Sequence, residues 1–135
     1  MREIKFRFYD KENKKMLNDL DVFELTVNQS LKSDDELAVM QFTGLKDRNG
    51  VEIYEGDIVR WGMNGQELSG VRYAVVNMFP SLSFDLIFYE NEETKERKKG
   101  SFSFKYDSFI YTNTENYLEV VANIYENKEL LNEEN

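Results

Sequence analysis

The feature that most narrows what this chain can fold into is a series of short apolar and polar alternations, each ended by a turn signal. Ile4, Phe6 and Phe8 interleave with Lys5, Arg7 and Tyr9, the period of a strand with one buried and one wet face. On that reading Phe6 and Phe8 face the core. Residues 10–15 are turn material leading to Met16 and Leu17, and residues 22–27 (VFELTV) and 37–43 (LAVMQFT) repeat the alternation around a polar stretch, 30–36, with a weak helical signal. Residues 84–89 (FDLIFY), 101–106 (SFSFKY) and 109–111 continue the β-branched and aromatic enrichment. In residues 117–125 (YLEVVANIY) consecutive β-preferring residues favour strand over helix, and Asn127 is placed to cap a short terminal helix over 128–133.

The turns carry as much information as the strands. Asn49-Gly50 is a strong signal for a tight turn with positive φ, because Gly has no Cβ to clash there and Asn tolerates that region. Glu55-Gly56-Asp57 is a second reversal, delivering the strand Ile58-Val59-Arg60-Trp61, with Asp57 placed to accept turn N–H groups. A Val at position 56 is expected to cost about 1 to 3 kcal/mol if φ there is positive. Residues 63–70 (MNGQELSG) read as a hairpin loop before the strand at 71–78. Eight to ten short strands with hairpin-length connections bury their alternating faces most simply as a closed or packed β structure. The expected fold is therefore all-β, a small β-barrel, in SH3-like form or another, with additional strands and a short C-terminal helical turn. At 135 residues the chain, 1–135, is read as a single domain.

Composition excludes much of chemistry. With no Cys and no His there is no thiolate or imidazole for nucleophilic catalysis, zinc or haem ligation, or proton shuttling near neutral pH. Glu55 and Asp57 sit two apart across a glycine, a spacing open to an acid and base pair or a divalent cation, but Asp beside Gly at a strand entry is first a turn device. Asp34, Asp35 and Glu36 are consecutive and cannot converge on one ion. No glycine-rich segment ends in the Lys-Ser/Thr pair of a phosphate loop or follows the dinucleotide fingerprint. The expectation is a chain that is not an enzyme, with no catalytic residue, no metal and no cofactor.

Seventeen Lys and Arg stand against 26 Asp and Glu, a net charge of −9. Residues 1–15 hold six bases and three acids, residues 107–135 one base and seven acids, and residues 16–89 twelve acids and five bases. The acidity is thus assigned to the folded body, and the basic first strand is expected to pack together with the acidic C-terminus. Such a balance disfavours a duplex-wrapping surface and suits a protein partner. A nucleic-acid-binding module is the alternative, and its candidate surface is Tyr9, Arg7, Arg60, Trp61 and Arg72, where bases and stacking rings lie close in sequence. The basic run Lys95, Arg97, Lys98 and Lys99 is interleaved with acids, so residues 90–100 read as a mobile loop before a binding patch. Charges every few positions through residue 15 leave no signal-peptide core, and no apolar run approaches a membrane span, so a cytoplasmic protein with no membrane contact is expected. Strand edges and 19 aromatic residues leave a homo-oligomer open.

Three blocks carry a resemblance: MREIKFRFYD at 1–10, VMQFTGLKDRNGVEIYEGDIV at 39–59 and EVVANIYENKELL at 119–131. In this order and spacing they resemble the YopX family of small phage and prophage proteins. Phe8 stands where an Ala often precedes the aromatic, and Lys128 where Pro often precedes Glu-Leu-Leu. The resemblance implies an all-β fold with a small barrel and an origin in a phage or prophage of a low-GC Gram-positive bacterium, hence the host cytosol. It brings no activity and no site residue with it.

Overall fold

The computed structural model describes residues 4–18, 37–62, 70–112 and 114–131. The segments expected at 22–27, 30–36 and 63–69, and the end of the terminal helix at 132–133, lie outside them. All strand pairs among the described residues are antiparallel. β1 (Phe6–Asp10), β2 (Lys15–Leu17), β3 (Leu37–Lys46) and β4 (Glu52–Tyr54) form one sheet in the order β2-β1-β3-β4. The second sheet runs β10-β5-β6-β7-β8, from β5 (Asp57–Gly62), β6 (Val71–Asn77), β7 (Ser83–Glu90), β8 (Arg97–Lys99) and β10 (Glu119–Asn123), with β9 (Ser103–Lys105) also on β7. A single short helix, α1 (Tyr106–Thr112), and 3₁₀ turns at Thr114–Tyr117 and Lys128–Leu130 complete the described elements. The fold is all-β, curled into a half-barrel, as the alternations demand.

Both reversals of the central motif form. Asp47 closes the first turn by accepting the N–H groups of Asn49 (2.8 Å) and Val51 (2.9 Å) on one carboxylate oxygen and that of Val120 (2.9 Å) on the other. Positive φ falls on Gly50 and not on Asn49, so the turn is a type I form followed by a left-handed glycine. At the second turn Gly56 has φ +86°, the left-handed region predicted for it. Asp57 Oδ2 accepts the Tyr54 N–H at 2.7 Å, the turn role its position implied.

Strand alternation fails as a guide to exposure because the second sheet is covered on both faces. Ile58 and Val59, adjacent on β5 and pointing opposite ways, are both 0% exposed. Val59, Trp61, Ala74, Val76 and Phe84 pack on one face with Ile53, Phe109 and Leu118, whereas Ile58, Tyr73 and Phe88 pack on the other with Ala122, Ile124 and Leu130. A third cluster, Tyr9, Ala38, Met40, Phe42 and Tyr54, belongs to the first sheet. β3 serves two clusters by means of a bulge after Phe42, where Thr43 donates to Ile53 O at 2.7 Å and accepts from Leu45 N at 3.1 Å. Leu45 thereby packs with the Trp61 cluster while Phe42 stays with the Tyr9 cluster.

Four expectations are corrected. In β1 Tyr9 is buried opposite Ala38, whereas Phe6, Arg7 and Phe8 are all half-buried, with Arg7 opposite the buried Met40 and Phe6 and Phe8 opposite Gln41 and the exposed Val39. Residues 109–111 are helical, because Tyr106 and Phe109 are three apart on one face of α1 and dock together against the Trp61 cluster, overriding aromatic β preference. Residues 90–100 form an ordered hairpin, with Glu90 opposite Arg97 and Phe88 opposite Lys99, and Asn91 Oδ1 accepting the Glu93 and Thr94 N–H groups at 2.9 and 3.0 Å. Finally, Asn127 precedes the terminal 3₁₀ turn without capping it through its side chain, whose oxygen accepts from Asn123 N at 3.2 Å.

Candidate functional site

The five residues proposed from sequence do not converge. Tyr9 is 6% exposed and stacks on Tyr125 with ring centroids 5.3 Å apart, so it offers no platform to a base. That stack also brings the first strand to the C-terminal segment, as the charge pattern suggested. Arg7 is turned inward onto Asp57 and lies over the Tyr54 ring, 4.6 Å from its centroid. Trp61 is 4% exposed, enclosed by Phe84, Phe104 and Phe109 at centroid distances of 6.4, 5.3 and 5.0 Å. Arg72, its cross-strand neighbour, lies over the rings of Tyr89 and Phe104, with Nε and Nη1 buried and without a hydrogen-bond partner. Arg60 alone reaches a polar surface, on the opposite face of β5 from Trp61.

The Glu55 and Asp57 pair likewise separates. Asp57 is 1% exposed and committed to Arg7 and the Tyr54 N–H, while Glu55 Oε1 lies 3.5 Å from Gln41 N. Burial pushes the Asp57 carboxyl above its ordinary value, and the positive charge of Arg7 and the hydrogen bond from Tyr54 N–H oppose the rise. No group of three His, Cys, Asp or Glu among the described residues is placed to hold a metal ion.

What the sequence reading missed is a polar chain running across the second sheet. Glu119 on β10 stands opposite Arg60 on β5, Arg60 opposite Tyr73 on β6, and Glu90 on β7 opposite Arg97 on β8. Arg60 Nε donates to Glu119 Oε1 at 2.6 Å, and Arg48 Nη2 reaches the same oxygen at 3.2 Å from the turn after β3. Arg60 Nη1 meets the Tyr73 hydroxyl at 3.4 Å, that hydroxyl meets Glu90 Oε1 at 3.4 Å, and Arg97 Nε donates to Glu90 Oε2 at 2.9 Å. The hydrogen bond from Arg60, with the charge of Arg48 behind it, holds the Glu119 carboxyl below its ordinary value. Hydrogen bonds to Tyr73 and Glu119 hold Arg60 firmly protonated. Only one signal of this chain is visible in sequence: a charged Arg60 set between Val59 and Trp61 in a strand needs a partner, which pairing register supplies 59 residues away.

Beside this chain lies a cleft of about 580 Å³, bordered by Arg48, Arg60 and Glu119 on one side and by Glu92 and Lys95 of the β7–β8 turn on the other. Trp61 and Tyr117 also line it. A second hollow of about 810 Å³ lies beside Tyr9, Tyr125, Lys11, Lys14 and Lys128, over the join between the first hairpin and the C-terminal segment.

The family model described as YopX protein matches residues 5–132. The chain belongs to the YopX family. Among solved structures it is similar to one described as the crystal structure of protein EF1440 from Enterococcus faecalis, at 22% identity and a TM-score of 0.54, covering 97% of this chain and 99% of that one. That likeness shows the shared fold. No curated protein matches. No helix among the described residues is long and apolar enough to cross a membrane.

Residues 4–18, 37–62, 70–110 and 116–131 carry fifteen acids and fifteen bases. The excess is concentrated elsewhere in the sequence, above all in residues 19–36, with six acids and one base.

Proposed function

We propose that this YopX-family chain is a non-enzymatic accessory protein of phage or prophage type that acts by binding a protein partner with a basic face, in the cytosol of a bacterial host. The observation that supports it most is how the arginines are used. Of the five among the described residues, Arg7, Arg48, Arg60 and Arg97 are each held by a carboxylate, and Arg72 lies over aromatic rings. A phosphate-binding groove needs such side chains turned outward and unneutralised. The net charge of −9 is a long-range attraction for a basic protein and a repulsion for nucleic acid.

The test is capture from nuclease-treated bacterial lysate on the immobilised chain, eluted with rising salt. The expected result is a discrete protein that leaves as salt screens the acidic charge. Recovery of nothing above the blank matrix, or of material held only when nucleic acid is left intact, overturns the proposal.

A further inference from the structure

We propose that the cleft lined by Arg60, Glu119 and Tyr117 binds a neutral, polyhydroxylated ligand, a saccharide ring. Its volume, about 580 Å³, lies in the range of small-molecule pockets. Arg48, Arg60 and Lys95 stand against Glu90, Glu92 and Glu119 in the lining, so the cleft is electrically balanced and favours an uncharged ligand. What it does hold is unused hydrogen-bonding capacity of both kinds. Arg60 spends Nε and Nη1 on Glu119 and Tyr73, and Arg48 spends Nη2 on Glu119, which leaves Arg60 Nη2 and Arg48 Nε and Nη1 as donors without a partner among the described residues. Glu119 receives both arginines on Oε1, so its Oε2 is an unused acceptor. On the far wall Glu92 and Lys95 add a further acceptor and donor whose side chains have no hydrogen bond or ion pair among the described residues. A hydroxyl both donates and accepts, so a ring of hydroxyls answers donors and acceptors set side by side, whereas a carboxylate only accepts and leaves the glutamates unanswered.

Shape and order support the same ligand. Tyr117 lines the cleft and is 44% exposed, an aromatic ring left available for the C–H bonds of a sugar to pack on. Gly62 shares the Arg60 face of β5, and a Cβ there would lie 3.8 Å from Glu92 Oε1. The missing side chain therefore keeps the space between β5 and the β7–β8 turn open. The walls are also fixed in advance: the Arg48 turn is closed by Asp47 and by Arg48 N–H donating to Leu118 O at 2.9 Å, and the β7–β8 turn by Lys95 N–H donating to Asn91 O at 2.9 Å. Side chains already held by one bond give up little freedom on making a second.

The experiment titrates the full chain with glucose, galactose, mannose and N-acetylglucosamine, with glucuronate and glucosamine as the anionic and cationic counterparts and glycerol as an open-chain polyol. It follows the Nε–Hε resonances of Arg48 and Arg60 by NMR. The expected result is saturable shifts at both arginines with at least one neutral sugar, at lower concentration than with glucuronate, glucosamine or glycerol. Tyr117→Ala should weaken that binding about tenfold by removing the packed ring. Gly62→Val, a residue suited to a strand, should abolish it by filling the cleft, and Lys128→Gln, in the other hollow, should leave it unchanged. Shifts that stay linear with every neutral sugar, a charged sugar or glycerol that binds as tightly, or Tyr117→Ala and Gly62→Val variants that keep their fold by circular dichroism and bind as the parent does, overturn the site.

Discussion

Asp57 offers the sharpest way to separate a structural carboxylate from a catalytic one, because one side chain closes a turn and also ties the first sheet to the second through Arg7. Asp57→Ala orphans the buried Tyr54 N–H and strands the Arg7 guanidinium, so the expected loss is about 3 to 5 kcal/mol, not a sum of two penalties, since one carboxylate serves both partners. Asp57→Asn keeps an oxygen for that N–H and loses only the charge, for an expected loss of about 1 to 3 kcal/mol. Arg7→Met leaves a carboxyl that is 1% exposed with no counter-charge. Burial already pushes that carboxyl above its ordinary value of 3.8, and removing Arg7 lets it rise further. A folded-state value raised above the unfolded one contributes stability that is present in acid and lost as pH rises through the folded value. The Arg7→Met deficit relative to the parent is therefore smallest below the unfolded value and widens toward neutral pH. Urea unfolding followed by Trp61 fluorescence measures all three variants, with the slope checking that the denatured state is unchanged. A deficit in Arg7→Met that is flat across this range refutes the reasoning.

Further outcomes follow from the same geometry. At Gly56 a Cβ would meet Met40 and Ile124 at an ordinary 3.6 Å, so Gly56→Ala should cost only the left-handed backbone, about 1 to 2 kcal/mol, and Gly56→Val more, about 2 to 4, through crowding of buried Met40. Equal urea midpoints for the two variants would contradict this. Phe109→Ala removes the ring stacked on Phe84 at 4.5 Å and should cost about 3 to 5 kcal/mol with a red shift of Trp61 emission; a loss below about 1 kcal/mol would mean that α1 does not dock. Glu119→Gln tests the shared carboxylate: its depressed folded value contributes stability above the ordinary 4.5 that is lost as pH falls through the folded value. The parent should thus exceed the variant by roughly 1 kcal/mol or less near neutral pH, a figure already reduced for solvent screening, and the gap should close in acid. A gap that widens on acidification would be wrong in sign.

Local physics was legible in the sequence, and pairing was not. Strand period and turn chemistry depend on neighbours a few residues apart, so β3, β5, β7 and the reversals at Gly50 and Gly56 can be read directly. The buried face of β1 could not be, because the usual rule hides Phe6 and Phe8, whereas here an arginine is drawn inward by a buried aspartate fifty residues away. Trp61 and Tyr9 failed as surface residues for a related reason: with both faces of the second sheet covered and a tyrosine stacked over β1, alternation no longer marks what is wet. The helix at α1 and the strand at β8 were hidden in opposite ways, aromatics folding as helix once docked and a lysine-rich run completing a sheet edge. The polar chain from Arg48 to Arg97 exists only through register, which no stretch of sequence records.

The proposed function is protein binding by a chain whose arginines, among the described residues, are bonded internally and whose net charge of −9 repels nucleic acid. It is tested most directly by fluorescence anisotropy of labelled single-stranded and double-stranded DNA and RNA at low salt, where electrostatic binding is strongest. The account predicts no saturable change with any of the probes. Saturable binding that weakens linearly with the logarithm of salt, and weakens again in Arg60→Gln, would contradict it.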